Sequence, residues 1–290
     1  LAMYKQRRFE EADMAVQSLV EDQASPPWMA ARGRFIKALC MDPRTQAGEK
    51  HEALEQLYAE TTAAAEQTPD QKARHEMLLL QSEICNSLGM SRLHHAGDAQ
   101  GAETLFKQAI DLNRSPGVSD RKGEAIGHGG LGDVHMASGR IEQARESYGQ
   151  NLSISRETGD LGGIMRMTSM LGGISLDEGQ SAGNKDEQAR LLDEARRYYE
   201  ESALLATRSR ATVALKFALE GLARVEAAEG SSGMLLVQLI RDAISKDCVD
   251  TMVAESVLAL VEGDVLPSES SGEIRTLLTP FTGNTHLQEH

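Results

Sequence analysis

The chain has 290 residues, of which 40% are hydrophobic and only 4% aromatic, and its 44 acidic against 30 basic side chains give a formal net charge of -14. There is enough apolar surface to bury a core, but the scarcity of rings leaves Ala, Leu, Ile and Met to fill it. The acidic balance argues against nucleic acid as the main partner and against an anionic membrane surface, because both are bound through Lys and Arg.

From the start of the chain, Tyr4 to Val20 reads as the end of one helix, a turn at Arg7–Arg8 and a helix with Phe9, Ala12 and Val16 on one face. That is the second half of a helix pair whose first half is missing, as expected of a piece of a longer array. Lys5, Arg7, Arg8, Glu10 and Glu11 precede any apolar run, so no signal peptide is expected. Ser25-Pro26-Pro27 is a break with Pro at a helix start, and Trp28 to Cys40 reads as a helix ended by Asp42-Pro43. Its partner spans Glu49 to Glu66. Thr68-Pro69-Asp70 opens the next helix, which runs to about Leu88.

Three stretches then repeat one pattern: Asp120 to Gly139, Asp160 to Gly179 and Ala211 to Gly230. Each carries a Leu (Leu131, Leu171, Leu222), a small residue after it (Gly132, Gly172, Ala223) and a Gly eight residues beyond the Leu (Gly139, Gly179, Gly230). A looser copy runs through Leu88 and Gly89 to Gly97, with one extra residue before its Gly. The closing Gly suits a left-handed C-cap. A second helix follows, marked by Ala102, Phe106 and Ala109, by Ala144, Tyr148 and Leu152, and by Ala195, Tyr199 and Ala203. Steps of three and four place each set on one stripe. The small residue admits the partner helix, and the ring fills the space between neighbouring pairs. The steps from Gly89 to Gly132 and from Gly132 to Gly172 are 43 and 40 residues, while Gly172 to Ala223 is 51, an excess assigned to a loop insert at Gln180 to Asp186. Beyond Gly230, helices from about Met234 to Ser245 and Asp250 to Val261 are expected to cap the stack. Pro267 to Gly272 reads as polar and loose, and Thr282 to His290 as disordered.

The Leu-Gly pair followed by Ala, an aromatic and a second Ala resembles the tetratricopeptide repeat (TPR). The period near 40 and the Gly159-Asp160 joint resemble its longer class, found in kinesin light chain-like adaptors and in sensor arms of ATPase-type transcription regulators. LEGLARVEAAEG (Leu219–Gly230) is most similar to the latter. The resemblance implies an all-α, right-handed α-solenoid of antiparallel helix pairs. Residues 1–68 would be divergent TPR-like helices, 69–230 the clear repeats, 231–266 the capping helices and 267–290 a loose tail.

Little in the sequence points to catalysis. Cys40, Cys85 and Cys248 form no Cys-x-x-Cys, and read as buried free thiols of a reducing, cytoplasmic compartment. Gly127, Gly129 and Gly132 spell G-x-G-x-x-G, but they fall within a predicted helix with no strand before it, so no nucleotide site is expected. His128 and His135 are about 10 Å apart along a helix, too far for one zinc without a third element bridging them, and these two and His94-His95 read as solvated or packing histidines, so no metal is expected. No catalytic residue and no cofactor are assigned.

In the TPR resemblance the first helices line a concave groove. Mapped here, that face holds Asn86 and Met90, then Ile126, Asp133 and Met136, then Arg166, Ser169 and Asp177, then Glu220 and Arg224. The implied function is a non-catalytic scaffold that binds a peptide or protein segment in this groove, the acidic chain favouring a partner with basic residues. The alternative is a ligand- or peptide-sensing arm of a larger signalling or transcription regulator. Open solenoid ends would favour self-association.

Overall fold

A computed structural model describes residues 26–42, 45–262 and 268–282. The half-pair expected at Tyr4 to Val20 lies outside these residues. Among the described residues there are twelve α-helices and no strand. The chain forms two compact units that meet in sequence between Ile154 and Ser155.

The first unit contains α1 (Pro27–Cys40), α2 (Ala47–Gln67), α3 (Gln71–Ser91), α4 (Ala99–Arg114), α5 (Arg121–Ala137) and most of α6 (Ile141–Thr158). The second contains α7 (Leu161–Ser181), α8 (Lys185–Ser209), α9 (Thr212–Glu229), α10 (Met234–Ser245), α11 (Thr251–Glu262) and α12 (Ser268–Leu278). Several starts are fixed by side-chain caps: Asp70 accepts from the Ala73 N–H at 2.7 Å, Asp98 from Gly101 at 2.8 Å and Asn184 from Glu187 at 2.8 Å. Gly97, Gly139 and Gly230 end their helices with φ of 67°, 69° and 64°, the left-handed turn expected of them.

Gly179 does not. It lies buried inside α7, a Cβ there being 3.1 Å from Leu192, and the helix runs on to Ser181. The expected loop insert shrinks accordingly to Ala182–Asn184. The 51-residue step is absorbed by longer helices: α7 and α8 have 21 and 25 residues against 17 and 18 in α5 and α6. The extra residue of the looser copy also has a structural home. Arg92–Ala96 forms a π-helical turn after α3, which takes up one residue without breaking the helix axis.

The rings pack as the pattern requires. Phe106, fully buried, lies between Gly89 of its own helix pair and Gly130 of the next; a Cβ at Gly89 would be 2.9 Å from the ring, and one at Gly130 would collide with it. Tyr199 lies in the same way between Gly172 and Gly221, and Tyr148 sits on Gly132. Gly127, which the pattern left unexplained, faces α4: a Cβ there would be 2.7 Å from Ile110 Cγ1. These glycines weaken the helix locally, each by about 1 kcal/mol against Ala. They are retained because helix and ring approach more closely than a methyl group allows.

The C-terminal end departs from expectation. Ser268–Leu278, read from sequence as part of a loose tail, is helical, and packs on α10 and α11 with Ile274 and Leu278 fully buried. Ser270 and Ser271, which read as loop formers, are buried, and Ser270 donates to the Ser232 carbonyl. Burial of two aliphatic side chains, each contributing about 1.5–3 kcal/mol, outweighs the weak helix propensity.

Candidate partner-binding groove

In the second unit, α7, α9 and α11 border an open cavity of about 920 Å³. From α7 come Met165, Arg166, Ser169 and Met170; from α9, Val213, Phe217, Glu220 and Arg224; from α11, Leu260. Tyr199 of α8 and Arg210, in the turn between α8 and α9, complete the wall. Val213 and Phe217 follow each other at helical spacing and are 55% and 53% exposed, although both are apolar. Large apolar side chains exposed along one face, beside a cavity of this size, mark a candidate binding surface.

The groove is cationic in an acidic chain. Arg166, Arg210 and Arg224 line it against the single carboxylate of Glu220. Glu220 is itself committed: Lys216 pairs with it at 2.9 Å and the Ser256 hydroxyl donates to it. Lys216 also lies 4.5 Å over the Phe217 ring, a cation–π contact. Arg224 reaches Asp177 at 3.3 Å, but both side chains are about half exposed or more, so the pair is weak. Arg210 has φ of +54°, an uncommon conformation for a residue with a Cβ.

Four of the expected groove residues, Arg166, Ser169, Glu220 and Arg224, therefore meet at one cavity, with Asp177 beside it through Arg224. Ser169 is tied into the fold, bonding the Met165 carbonyl at 3.0 Å and Ser202 Oγ at 3.1 Å. The other five lie in the first unit. Ile126 and Met136 are exposed on α5. Met90 packs against the cluster of Ala102, Phe106 and Leu131. Asp133 accepts the Tyr148 hydroxyl at 2.7 Å. Asn86 is buried with its Nδ2 3.4 Å from the Gly123 carbonyl, a contact that joins α3 to α5.

His128 and His135 are both buried in α5. His128 is buried and accepts from Arg114 at 3.1 Å, and Arg114 also donates to the buried Glu124 at 2.6 Å. Burial first, and then the Arg114 charge, hold His128 below its ordinary value. No group of three or more His, Cys, Asp or Glu among the described residues could hold a metal ion. The G-x-G-x-x-G stretch lies within α5, with its first glycine packed on Ile110.

Sequence reasoning missed Tyr199 as a groove residue, along with Met170, Arg210 and Val213. The available signal was the residue after each Leu-Gly pair: Asp133 opposite Tyr148, but Gly173 opposite Tyr199.

The fold is TPR-like. The structure resembles that of BtubC (BKLC) from P. vanneervenii, with a TM-score of 0.54 at 15% identity over 85% of this chain and 97% of that one. It also resembles the Q17M form of a Podosopora anserina candidate kinesin light chain with nearly identical TPR-like repeats, with a TM-score of 0.50 at 16% identity over 74% and 93% of the two chains. No family model matches the sequence, and no curated protein matches it. No helix among the described residues is long and apolar enough to cross a membrane.

Proposed function

We propose that the chain is a non-catalytic interaction module that holds a protein or peptide segment in the groove of its second unit. The observation that carries this reading is the open face of α9, where exposed Val213 and Phe217 stand beside Arg210, Arg224 and a cavity of about 920 Å³. The apolar side chains supply contact area, the two lining methionines adapt to shape, and the arginines orient the partner. A scaffold role agrees with the TPR-like fold, although fold alone does not carry function. The net charge of -14 pointed toward a basic partner, whereas the local charge of the groove favours an acidic one. Cys85 and Cys248 are buried free thiols, whereas Cys40, expected to be buried too, is half-buried; three free thiols support a reducing, cytoplasmic compartment.

The sensing-arm alternative draws support from the same cavity, since its volume also suits a small ligand. Peptides selected by display against the full chain would test the scaffold reading. Reversing charge in Arg166→Glu with Arg224→Glu should abolish their capture, and unchanged capture would remove the groove assignment.

A further inference from the structure

Three helix pairs place a ring at the same position, and they treat its para position differently. Phe106 has no hydroxyl, and the residue after its Leu-Gly pair is Met90. Tyr148 has one, and Asp133, in the same place, accepts it at 2.7 Å. Tyr199 also has one, but the equivalent residue is Gly173, where a Cβ would lie 3.5 Å from that oxygen. Tyr199 is only 5% exposed, and its hydroxyl has no hydrogen-bond partner among the described residues. Tyr199 thus brings to its helix joint a donor with no partner among the described residues, where Phe106 brings none. Tyr199 lines the groove cavity.

Three guanidinium groups stand near it against two carboxylates, Glu220 in the cavity and Asp177 beside Arg224. Arg166, Arg210 and Arg224 line the same cavity, and Arg210 has no ion-pair partner among the described residues. The cavity also borders the first turn of α9, whose N-cap residue, Ala211, has no side-chain oxygen to accept from the free N–H groups of that turn. Burial pushes the Tyr199 phenol up to about 12, so the hydroxyl stays protonated and remains a donor.

We propose that the groove recognises a carboxylate joined to an apolar body, with the Tyr199 hydroxyl and the neighbouring guanidinium groups holding the carboxylate and Met170, Val213 and Phe217 holding the apolar part. This rests on the reading of the groove as the binding surface and specifies what it reads. A free aliphatic acid and the apolar C-terminal residue of a peptide share this chemistry.

The test uses the full chain, titrated by calorimetry and followed at the backbone amides of Thr212, Val213 and Ala214 by NMR. Octanoate is compared with octanamide, and a hexapeptide ending in Leu with a free carboxylate is compared with its amidated form. Binding of octanoate assigns the free acid, and binding only of the free-carboxylate peptide assigns the chain terminus. In either case the neutral form should leave the amides unmoved, and Tyr199→Phe should weaken binding roughly tenfold or more, the scale of a hydrogen bond to a charged group. Tyr199→Phe should fold normally, because Phe106 fills the equivalent seat. The proposal is overturned if none of the four probes binds, if the neutral forms bind as well as the acids, or if Tyr199→Phe binds unchanged. Display-selected peptides lost in the double Arg166→Glu, Arg224→Glu variant but kept in Tyr199→Phe would leave the groove standing and remove the carboxylate site alone.

Discussion

The Phe106 ring occupies the space that a side chain at Gly130 would need. The ring is fully buried and held from the other side by Gly89, so it cannot swing away. Gly130→Ala gains about 1 kcal/mol of helix propensity but overpacks the joint at a cost of roughly 1–3 kcal/mol or more. The net effect should be a lower urea midpoint. Gly149→Ala is the control: Gly149 lies in α6 with nothing within 4 Å of its would-be Cβ, so the same change should stabilise by roughly 0.5–1 kcal/mol. Equal midpoints for the two variants would show that the ring does not set the identity of residue 130.

This relationship marks how far the sequence could be read. The Leu, small-residue and ring pattern made the helix pairs and the stripe of Phe106, Tyr148 and Tyr199 legible, because spacing alone decides which side chains share a face. The second seat of each ring was not legible. Gly130 and Gly221 contact a ring some twenty residues earlier in the chain, on another helix, and nothing local signals it. Gly179 misled for the converse reason: glycine marks a possible turn, but here it is needed for the approach of Leu192. Of the groove, Arg166, Ser169, Glu220 and Arg224 came from the TPR resemblance mapped onto helical register, whereas Arg210 sits in a turn that register does not describe.

Glu103 makes the fold sensitive to acid. Hydrogen bonds from Arg140, then Lys107, pull its carboxyl down to about 2 from 4.5. The unfolded chain therefore binds a proton that the folded chain refuses between those two values. The stability Glu103 contributes is present above pH 4.5 and is lost as pH falls toward 2. Glu103→Gln should flatten that part of a plot of denaturation midpoint against pH. A plot that keeps its slope would assign the acid loss to other carboxylates.

His128 adds a step nearer neutrality. Arg114 has no acceptor, so the His128 Nε2 facing it at 3.1 Å carries no proton and the ring is neutral. Burial and the Arg114 charge place its pKa below 6.5, against the opposing pull of Glu124 and Glu146. Below pH 6.5 the unfolded chain takes up the proton first, so stability falls as pH drops through the lowered value. Glu124 follows at lower pH: burial pushes its carboxyl up, but Arg114 and Arg121 outweigh that and hold it below 4.5. NMR titration of the His128 Cε1–H should give a midpoint under 6.5 that moves upward in Arg114→Gln. A wild-type midpoint at or above 6.5 would contradict the geometry.

Glu226 works in the opposite sense. It is buried, and its carboxylate accepts the Leu236 and Leu235 backbone N–H groups at the start of α10, whose own N-cap, Gly233, offers no side chain. Burial raises its pKa above 4.5 despite those bonds and Arg196. The folded chain therefore holds the proton longer than the unfolded one, and stability declines as pH rises from 4.5 through the raised value. Glu226→Gln keeps an acceptor for the helix start and has no charge to lose, so this decline should vanish. Glu226→Ala removes the acceptor as well and should cost roughly 0.5–2 kcal/mol at every pH, as the loss of a helix cap does. A decline that persists in Glu226→Gln would place its origin elsewhere.

Arg210 should separate stability from binding. Its φ of +54° puts a Cβ in the left-handed region, which costs roughly 1 kcal/mol for a residue other than Gly. The neighbouring helix end is otherwise ordinary, with the Arg210 N–H bonded to the Ala206 carbonyl as in other left-handed caps. Gly at this position keeps that bond and relieves the strain, so Arg210→Gly should raise the urea midpoint by an amount worth about 1 kcal/mol. The same change removes one of the three guanidinium groups that line the groove, so carboxylate binding should weaken while the fold strengthens. A loss of binding caused by damage to the fold would lower both quantities together. A rise in both would show that Arg210 holds its strained turn for a reason other than the groove.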